Sequence, residues 1–172
     1  YVWIGGNGDI SLYNIENYQF FCSWSAHDSS VSCLLSVGEY IWSSSASGDI
    51  KVWKNKSVGG VCLHKKFRIH QAKVLELYLK GNHVISCSLD ASTLLWNTTT
   101  FKAEQEILLE NDCVSVIGSI HSYLWTASDN AIAIWAYSPN KMVIRRDTEA
   151  VLSKSVSSPI RNTRKTLIGH SR

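Results

Sequence analysis

IWSSSASGDIKVWK, residues 41–54, and VISCSLDASTLLWN, residues 84–97, share one pattern: an apolar run, small polar residues, a tight turn, and an alternating strand that closes on an aromatic ring. The pattern also opens the chain as VWIGGNGDISLYN, residues 2–14, and returns as LWTASDNAIAIWA, residues 124–136. The closing rings Tyr13, Trp53, Trp96 and Trp135 stand 40, 43 and 39 residues apart. Upstream of three of them lies a second alternating run, VSCLLS (31–36), VLELYL (74–79) and CVSVIG (113–118), with Val31, Val74 and Val114 spaced by 43 and 40.

A unit of about 40 residues holding several short strands has the period of a four-stranded propeller blade. Alternation gives each strand two faces: Ile50 and Val52 share one, Lys51 and Trp53 the other. A single blade cannot bury both faces, so blades must stack around an axis. The expected fold is all-β: a β-propeller of four-stranded antiparallel blades. A seven-bladed ring at this period needs roughly 280 residues, against 172 here. About three and a half blades are expected. The chain opens inside a strand at Tyr1-Val2-Trp3 and reads as a fragment of a longer protein, with residues 1–146 as partial propeller and 147–172 as a separate segment.

Composition agrees with this. The chain is 45% hydrophobic and 18% charged, which suits one ordered core rather than a disordered chain. Seven Trp and seven Tyr against two Pro favour pleated, half-buried surfaces. No run approaches the roughly 18 apolar residues of a membrane helix, and the N-terminus lacks the pattern of a signal peptide. A cytoplasmic protein is expected. The sequons at Asn55 and Asn97 are discounted on the same ground.

At the repeated residues the sequence resembles the WD-repeat (WD40) family. That family's unit is a Gly-His pair, a strand, a second strand carrying Ser or Thr, a turn with Asp, and a third strand ending in Trp-Asp. In residues 69–97, Ile69-His70 replaces Gly-His and Trp96-Asn97 replaces Trp-Asp. The resemblance implies a structural tetrad of His70, Ser86, Asp90 and Trp96. A buried carboxylate and imidazole are tolerated only when paired, and pairing them locks the turn to the preceding strand. Residues 26–54 keep His27, Ser43 and Trp53 but have Ser47 in place of the Asp, so a weaker network is expected. Residues 110–136 keep Thr126, Asp129 and Trp135 without a preceding His. The first unit has Asn7 in its turn and Tyr13 for Trp.

No catalytic constellation stands out. His27 and His70 occupy repeat-equivalent positions, which favours a structural use over a general base or metal ligand. His64, His83 and His121 have no metal-like spacing and are assigned to strand and loop surfaces. Gly5-Gly6-Asn7-Gly8 lacks the G-K-[ST] of a phosphate loop and reads as a turn. The five cysteines form no C-x-x-C pair and read as small buried hydrophobes. No cofactor and no metal are expected, and the protein is expected not to be an enzyme.

Charge is uneven: residues 1–135 hold 9 basic and 12 acidic side chains, residues 136–172 hold 8 and 2. An acidic propeller argues against nucleic acid as partner. The basic segment is Ser/Thr-rich and reads as a solvated tail. Arg145-Arg146-Asp147-Thr148 and Ser158-Pro159 have the form of kinase sites. Alternatively, Ile168-Gly169-His170 begins a further blade and 147–172 is an inter-blade insertion.

A propeller offers a rigid disc whose rim loops present side chains to partners. By the resemblance, contacts fall beside the turn Asp and after the Gly-His pair: Ala46, Leu89 and Ser128, with Asp28, Ser30, Gln71 and Lys73. The leading expectation is a non-catalytic scaffold or adaptor binding other proteins or peptides, alongside the rest of its parent propeller. The alternative is a regulatory domain of a larger signalling enzyme. VWIGGNGDISLYN, with the WSAHDSSVSCLL that follows it, resembles the propellers attached to inositol polyphosphate phosphatases and Rho guanine-nucleotide exchange factors.

Overall fold

A computed structural model of the chain describes residues 1–56, 60–108, 116–120, 123–127, 131–136, 145–146 and 152–153. These residues form four antiparallel sheets. The first contains β1 (Val2–Gly5), β2 (Asp9–Tyr13) and β3 (Phe20–Ser25). The second contains β4 (Val31–Val37), β5 (Tyr40–Ser45), β6 (Asp49–Lys56) and β7 (Gly60–Arg68). The third contains β8 (Val74–Lys80), β9 (His83–Ser88), β10 (Ser92–Asn97) and β11 (Ala103–Leu108). The fourth runs β12 (Val116–Ile120), β13 (Tyr123–Ala127) and β14 (Ala131–Ala136). On the far side of β14 lie β15 (Arg145–Arg146) at one end and β16 (Leu152–Ser153) at the other. Strands join in sequence order within each sheet, which is the meander that short turns permit.

Register carries the repeat into three dimensions. Val2 lies opposite Tyr13, Ile41 opposite Trp53, Val84 opposite Trp96, and Leu124 opposite Trp135. Two residues further along β5, β9 and β13 stand Ser43, Ser86 and Thr126, while β1 carries Ile4 there. The turns repeat too. Gly8, Gly48 and Ala91 all have positive φ, at 96°, 89° and 63°. A side chain on Gly48 would overlap the His70 carbonyl, and one on Gly8 would come within 2.7 Å of the His27 carbonyl. The two glycine turns therefore press their backbone against the segment leading into the next blade, where a side chain does not fit.

Aromatic rings fill the space between sheets. Trp42, Phe67 and Phe101 meet Trp96 and its neighbours in one cluster with Ile50, Val52, Val74, Leu77, Val84 and Leu94. Trp3 and Trp24 meet Trp53 in the equivalent position one blade earlier. The inner strands are bridged directly: the Cys33 thiol donates to the Leu75 carbonyl at 3.1 Å, and the Tyr78 and Ser119 hydroxyls lie 2.8 Å apart.

Two expectations need correcting. His83 is not a surface histidine: it is buried at the start of β9 and its Nε2 lies 2.9 Å from Glu104, whose other oxygen accepts from Asn97. Opening a strand above a carboxylate gives the ring a partner that spacing in the sequence does not show. Of the four cysteines among the described residues only Cys87 is fully buried. Cys22, Cys33 and Cys62 are half-buried, because they stand on inner or outer strands where one neighbour is missing. Cys113 lies outside the described residues.

Candidate functional site

The buried polar network is clearest in the third blade. The Trp96 indole donates to the Ser86 hydroxyl at 2.8 Å, and Ser86 lies 2.7 Å from His70 Nε2. On the other side of the ring, His70 Nδ1 lies 2.8 Å from the Ser92 hydroxyl, which donates to Asp90 Oδ1 at 2.5 Å. An indole can only donate and a carboxylate can only accept, so Trp96 donates to Ser86 and Ser92 to Asp90, which leaves Ser92 to accept from Nδ1–H. Burial holds the ring below its ordinary 6.5, so near neutral pH it is uncharged and Nε2 accepts from Ser86. Aligned dipoles in such a chain reinforce one another in a dry interior.

Asp90 then reaches outward. Its Oδ2 accepts the Gln71 backbone N–H at 2.7 Å and lies 3.4 Å from His70 Nδ1. Burial alone raises the Asp90 carboxyl. The Ser92 hydroxyl, the Gln71 and Ser92 amides and the nearby His70 outweigh burial and pull it to about 2. Burial lowers His70 in turn, and Asp90 opposes that.

The second blade builds only part of this. Trp53 donates to Ser43 at 2.7 Å and Ser43 lies 2.7 Å from His27 Nε2, but His27 Nδ1 has no hydrogen-bond partner. The cause is an exchange of side chains. Ser47 stands where the third blade has Asp90, and Asp49 where it has Ser92. Asp49 is 1% exposed, with Arg68 Nε at 3.8 Å from Oδ1 and the Ser47 hydroxyl at 3.4 Å from Oδ2. Ser47 is tied instead to Ser29, by its backbone N–H at 2.9 Å and its hydroxyl at 3.1 Å. The turn is still fastened to the segment after the histidine, by neutral serine bonds in place of a carboxylate. Burial pushes His27 down to about 4, helped by the Lys51 charge, whose ammonium group bonds the Ala26 carbonyl.

The first blade carries less of the network. Ile4 in the first blade supplies no hydroxyl and Tyr13 stands for the tryptophan. In the fourth, Thr126 is buried in the register of Ser43 and Ser86, and the Trp135 backbone pairs with Leu124. Ser128 and Asp129 lie outside the described residues. Reading the sequence alone missed Ser92 and Asp49. Laying SGD (47–49) over DAS (90–92) is the signal that would have found them.

The network fastens a rim. Asp28, Ser30, Gln71, Lys73 and Leu89 are exposed and Ala46 is half-buried. The Ala46 N–H donates to the Ser30 carbonyl and the Leu89 N–H to the Lys73 carbonyl, both at 2.9 Å. The Ser30 hydroxyl donates to Asn7 in the turn of the preceding blade at 3.1 Å. The structure thus brings six of the seven rim positions onto one edge of consecutive blades. Leu89 and Ile69, at 49% and 50% exposed, give that edge apolar points between charges of both signs. Among the described residues no group of three or more His, Cys, Asp and Glu side chains could hold a metal, and no helix is long and apolar enough to cross a membrane.

No protein-family model matches the chain. Over 138 residues, 75% of its length, it is 26% identical to telomerase protein component 1 of Mus musculus, and it covers 5% of that protein. Among solved structures, a chain of the mitotic checkpoint complex superposes with a TM-score of 0.70 at 20% identity, over 82% of this chain and 45% of that one. The computationally designed Ika8 protein gives 0.68 at 20%, over 84% and 45%. The designed Ika4 protein gives 0.67 at 19%, over 78% and 84%. At this level of identity the likeness is one of fold. The chain has the fold of a β-propeller built from four-stranded antiparallel blades.

Proposed function

We propose that this chain is a WD-repeat propeller segment that serves as a non-catalytic scaffold, with the rim around Asp28, Ser30, Ala46, Gln71, Lys73, Leu89 and Ser128 as its contact surface for other proteins or peptides. One observation carries the reading: exposed side chains of successive blades are held on a common edge by backbone bonds, over a buried network that fixes each turn. A rigid edge loses little conformational freedom on binding, which favours recognition. A chain of similar fold occurs in the mitotic checkpoint complex, which supports protein partners. The cytoplasmic setting and the remaining blades of a larger ring belong to the same proposal.

The second reading, a propeller that regulates a catalytic domain elsewhere in one protein, draws on the small share of the mouse relative that this chain covers. The open reading frame decides between them: an adjoining catalytic domain favours the enzyme. The rim itself is tested by affinity capture with the chain and with Leu89→Asp combined with Lys73→Glu. Captured proteins should be lost from the variant while its melting temperature stays within a few degrees. Unchanged capture places the contact surface elsewhere.

A further inference from the structure

Six of the nine Lys and Arg residues in 1–135, namely Lys51, Lys54, Lys56, Lys65, Lys66 and Arg68, fall on the paired strands β6 and β7. The one acidic residue of those strands, Asp49, is buried beside Arg68, and Lys54 is held by Glu39 at 3.0 Å. Lys51 and Lys66 stand directly opposite each other in register, a like-charge pair that weakens a sheet. The Lys51 ammonium group is drawn off to the Ala26 carbonyl. Lys65 and Lys66 are exposed and, among the described residues, pair with no carboxylate. Register places them on opposite faces of β7: Lys66 and Leu63 share the face of Lys51 and Trp53, Lys65 that of Val52 and Lys54. β7 is also an open edge. It is the outer strand of a complete four-stranded blade and, among the described residues, has no strand on its far side. Its nine residues exceed the six of each of the outer strands β3 and β11. Edges are commonly blunted by shortness or by lysines. Lysines here bar a second edge of the same charge, yet they leave a long template open to a strand of opposite charge.

We propose that the outer edge of β7 takes up an extended acidic segment of another protein as a fifth, antiparallel strand, with two consecutive carboxylate side chains opposite Lys66 and Lys65 and an apolar one opposite Leu63. Consecutive residues of a strand point to opposite faces, as Lys65 and Lys66 do, so adjacent carboxylates meet both ammonium groups. The carboxylate opposite Lys66 also offsets its repulsion from Lys51. Leu63, 49% exposed, gives the added strand an apolar contact on the same face. In strand addition the backbone bonds supply affinity, and here the charges select the partner. A single-stranded nucleic acid fits this surface less well. Base stacking needs exposed rings, whereas Trp53 is buried, Phe67 packs against Trp42 and Trp96, and His64 is already stacked on Tyr40 and Phe101 with centroids 4.9 Å away in each case. The surface centres on Lys65 and Lys66 rather than on the rim, so it is a contact additional to the one proposed above.

The test uses the full chain and a synthetic peptide of alternating threonine and valine with two adjacent glutamates at its centre. Amide exchange by mass spectrometry should show protection within residues 61–68 when the peptide is added. Lys65→Glu combined with Lys66→Glu should weaken binding at least about tenfold by calorimetry while the melting temperature stays within a few degrees. A peptide with lysines in place of its glutamates should bind that variant and not the parent chain. Methylating alternate backbone nitrogens of the acidic peptide should abolish protection, because it removes the ladder donors. Absence of protection in a chain shown to be folded by circular dichroism overturns the site. Equal binding of the methylated peptide overturns strand addition, and failure of the charge-swapped pair overturns the role of the two lysines. Poly(U) RNA or phosphoinositide vesicles that bind more tightly than the peptide, and are lost with the same lysines, assign the surface to phosphate and overturn the proposed occupant. A dimer seen by light scattering and abolished by the charge reversal assigns the edge to a second copy and overturns it as well. The peptide is read at β7 alone, so its outcome is independent of capture by the rim.

Discussion

His70 and His27 occupy the same position in two blades yet differ in what lies beyond Nδ1: Ser92 and Asp90 in one, no partner in the other. A hydrogen bond to a charged group contributes about 1.5–3 kcal/mol and a neutral one about 1 kcal/mol, so the third blade should be the firmer. His70→Ala and Asp90→Ala should be strongly non-additive, coupled by about 1–3 kcal/mol in urea unfolding; additive, near-neutral effects would remove Asp90 from the network. Both rings are held neutral, with values below the ordinary 6.5, His27 at about 4. A depressed histidine means the unfolded chain binds more protons, so this stability is present above pH 6.5 and is lost as pH falls from there toward 4. Asp90 behaves differently: its contribution holds down to 3.8 and is lost between there and about 2. Urea midpoints at pH 7, 5.5 and 4.5 should therefore decline steadily, and His27→Asn should flatten the decline. A flat wild-type profile over that range would contradict the assignment.

At the scale of the strand and its turn, the repeat is carried by backbone conformation as much as by side chains. Gly48 at φ 89° faces the His70 carbonyl, whereas its counterpart Ala91 adopts φ 63° with a side chain in place. A left-handed conformation costs an L-residue about 1–2 kcal/mol. Gly48→Ala should thus destabilise by about 2 kcal/mol or more once the overlap with the carbonyl is added. Ala91→Gly should gain up to about 1 kcal/mol or stay neutral. Paired thermal melts of the two variants check the sign of each. The inner strands and the pair flanking each turn were legible in the sequence because alternation and the turn residues both carry the period, whereas the outer strands β3, β7 and β11 carry no such mark. The Asp49 and Ser47 exchange was obscured because the repeat pattern carries its aspartate at one turn position. The blade had moved the carboxylate two residues along and fastened its turn with serine.

At the scale of the whole molecule, blades are held to one another by rings rather than by charges. Trp42 is 0% exposed and contacts Phe67, Trp96 and Phe101 from three directions. Trp42→Ala should cost about 3–5 kcal/mol and broaden the unfolding transition, because it separates the second blade from the third. A sharp transition with an unchanged midpoint would show that the interface does not depend on that ring. What the sequence determined by itself was the period and the all-β class, since these follow from residue order along one strand and one turn. The tertiary structure alone decided which histidine completes a network, His70 through Ser92 and Asp90 but not His27. It also decided that His83 is buried on Glu104. Each of these depends on contacts between segments 16 or more residues apart, where no local pattern reports what the chain brings together.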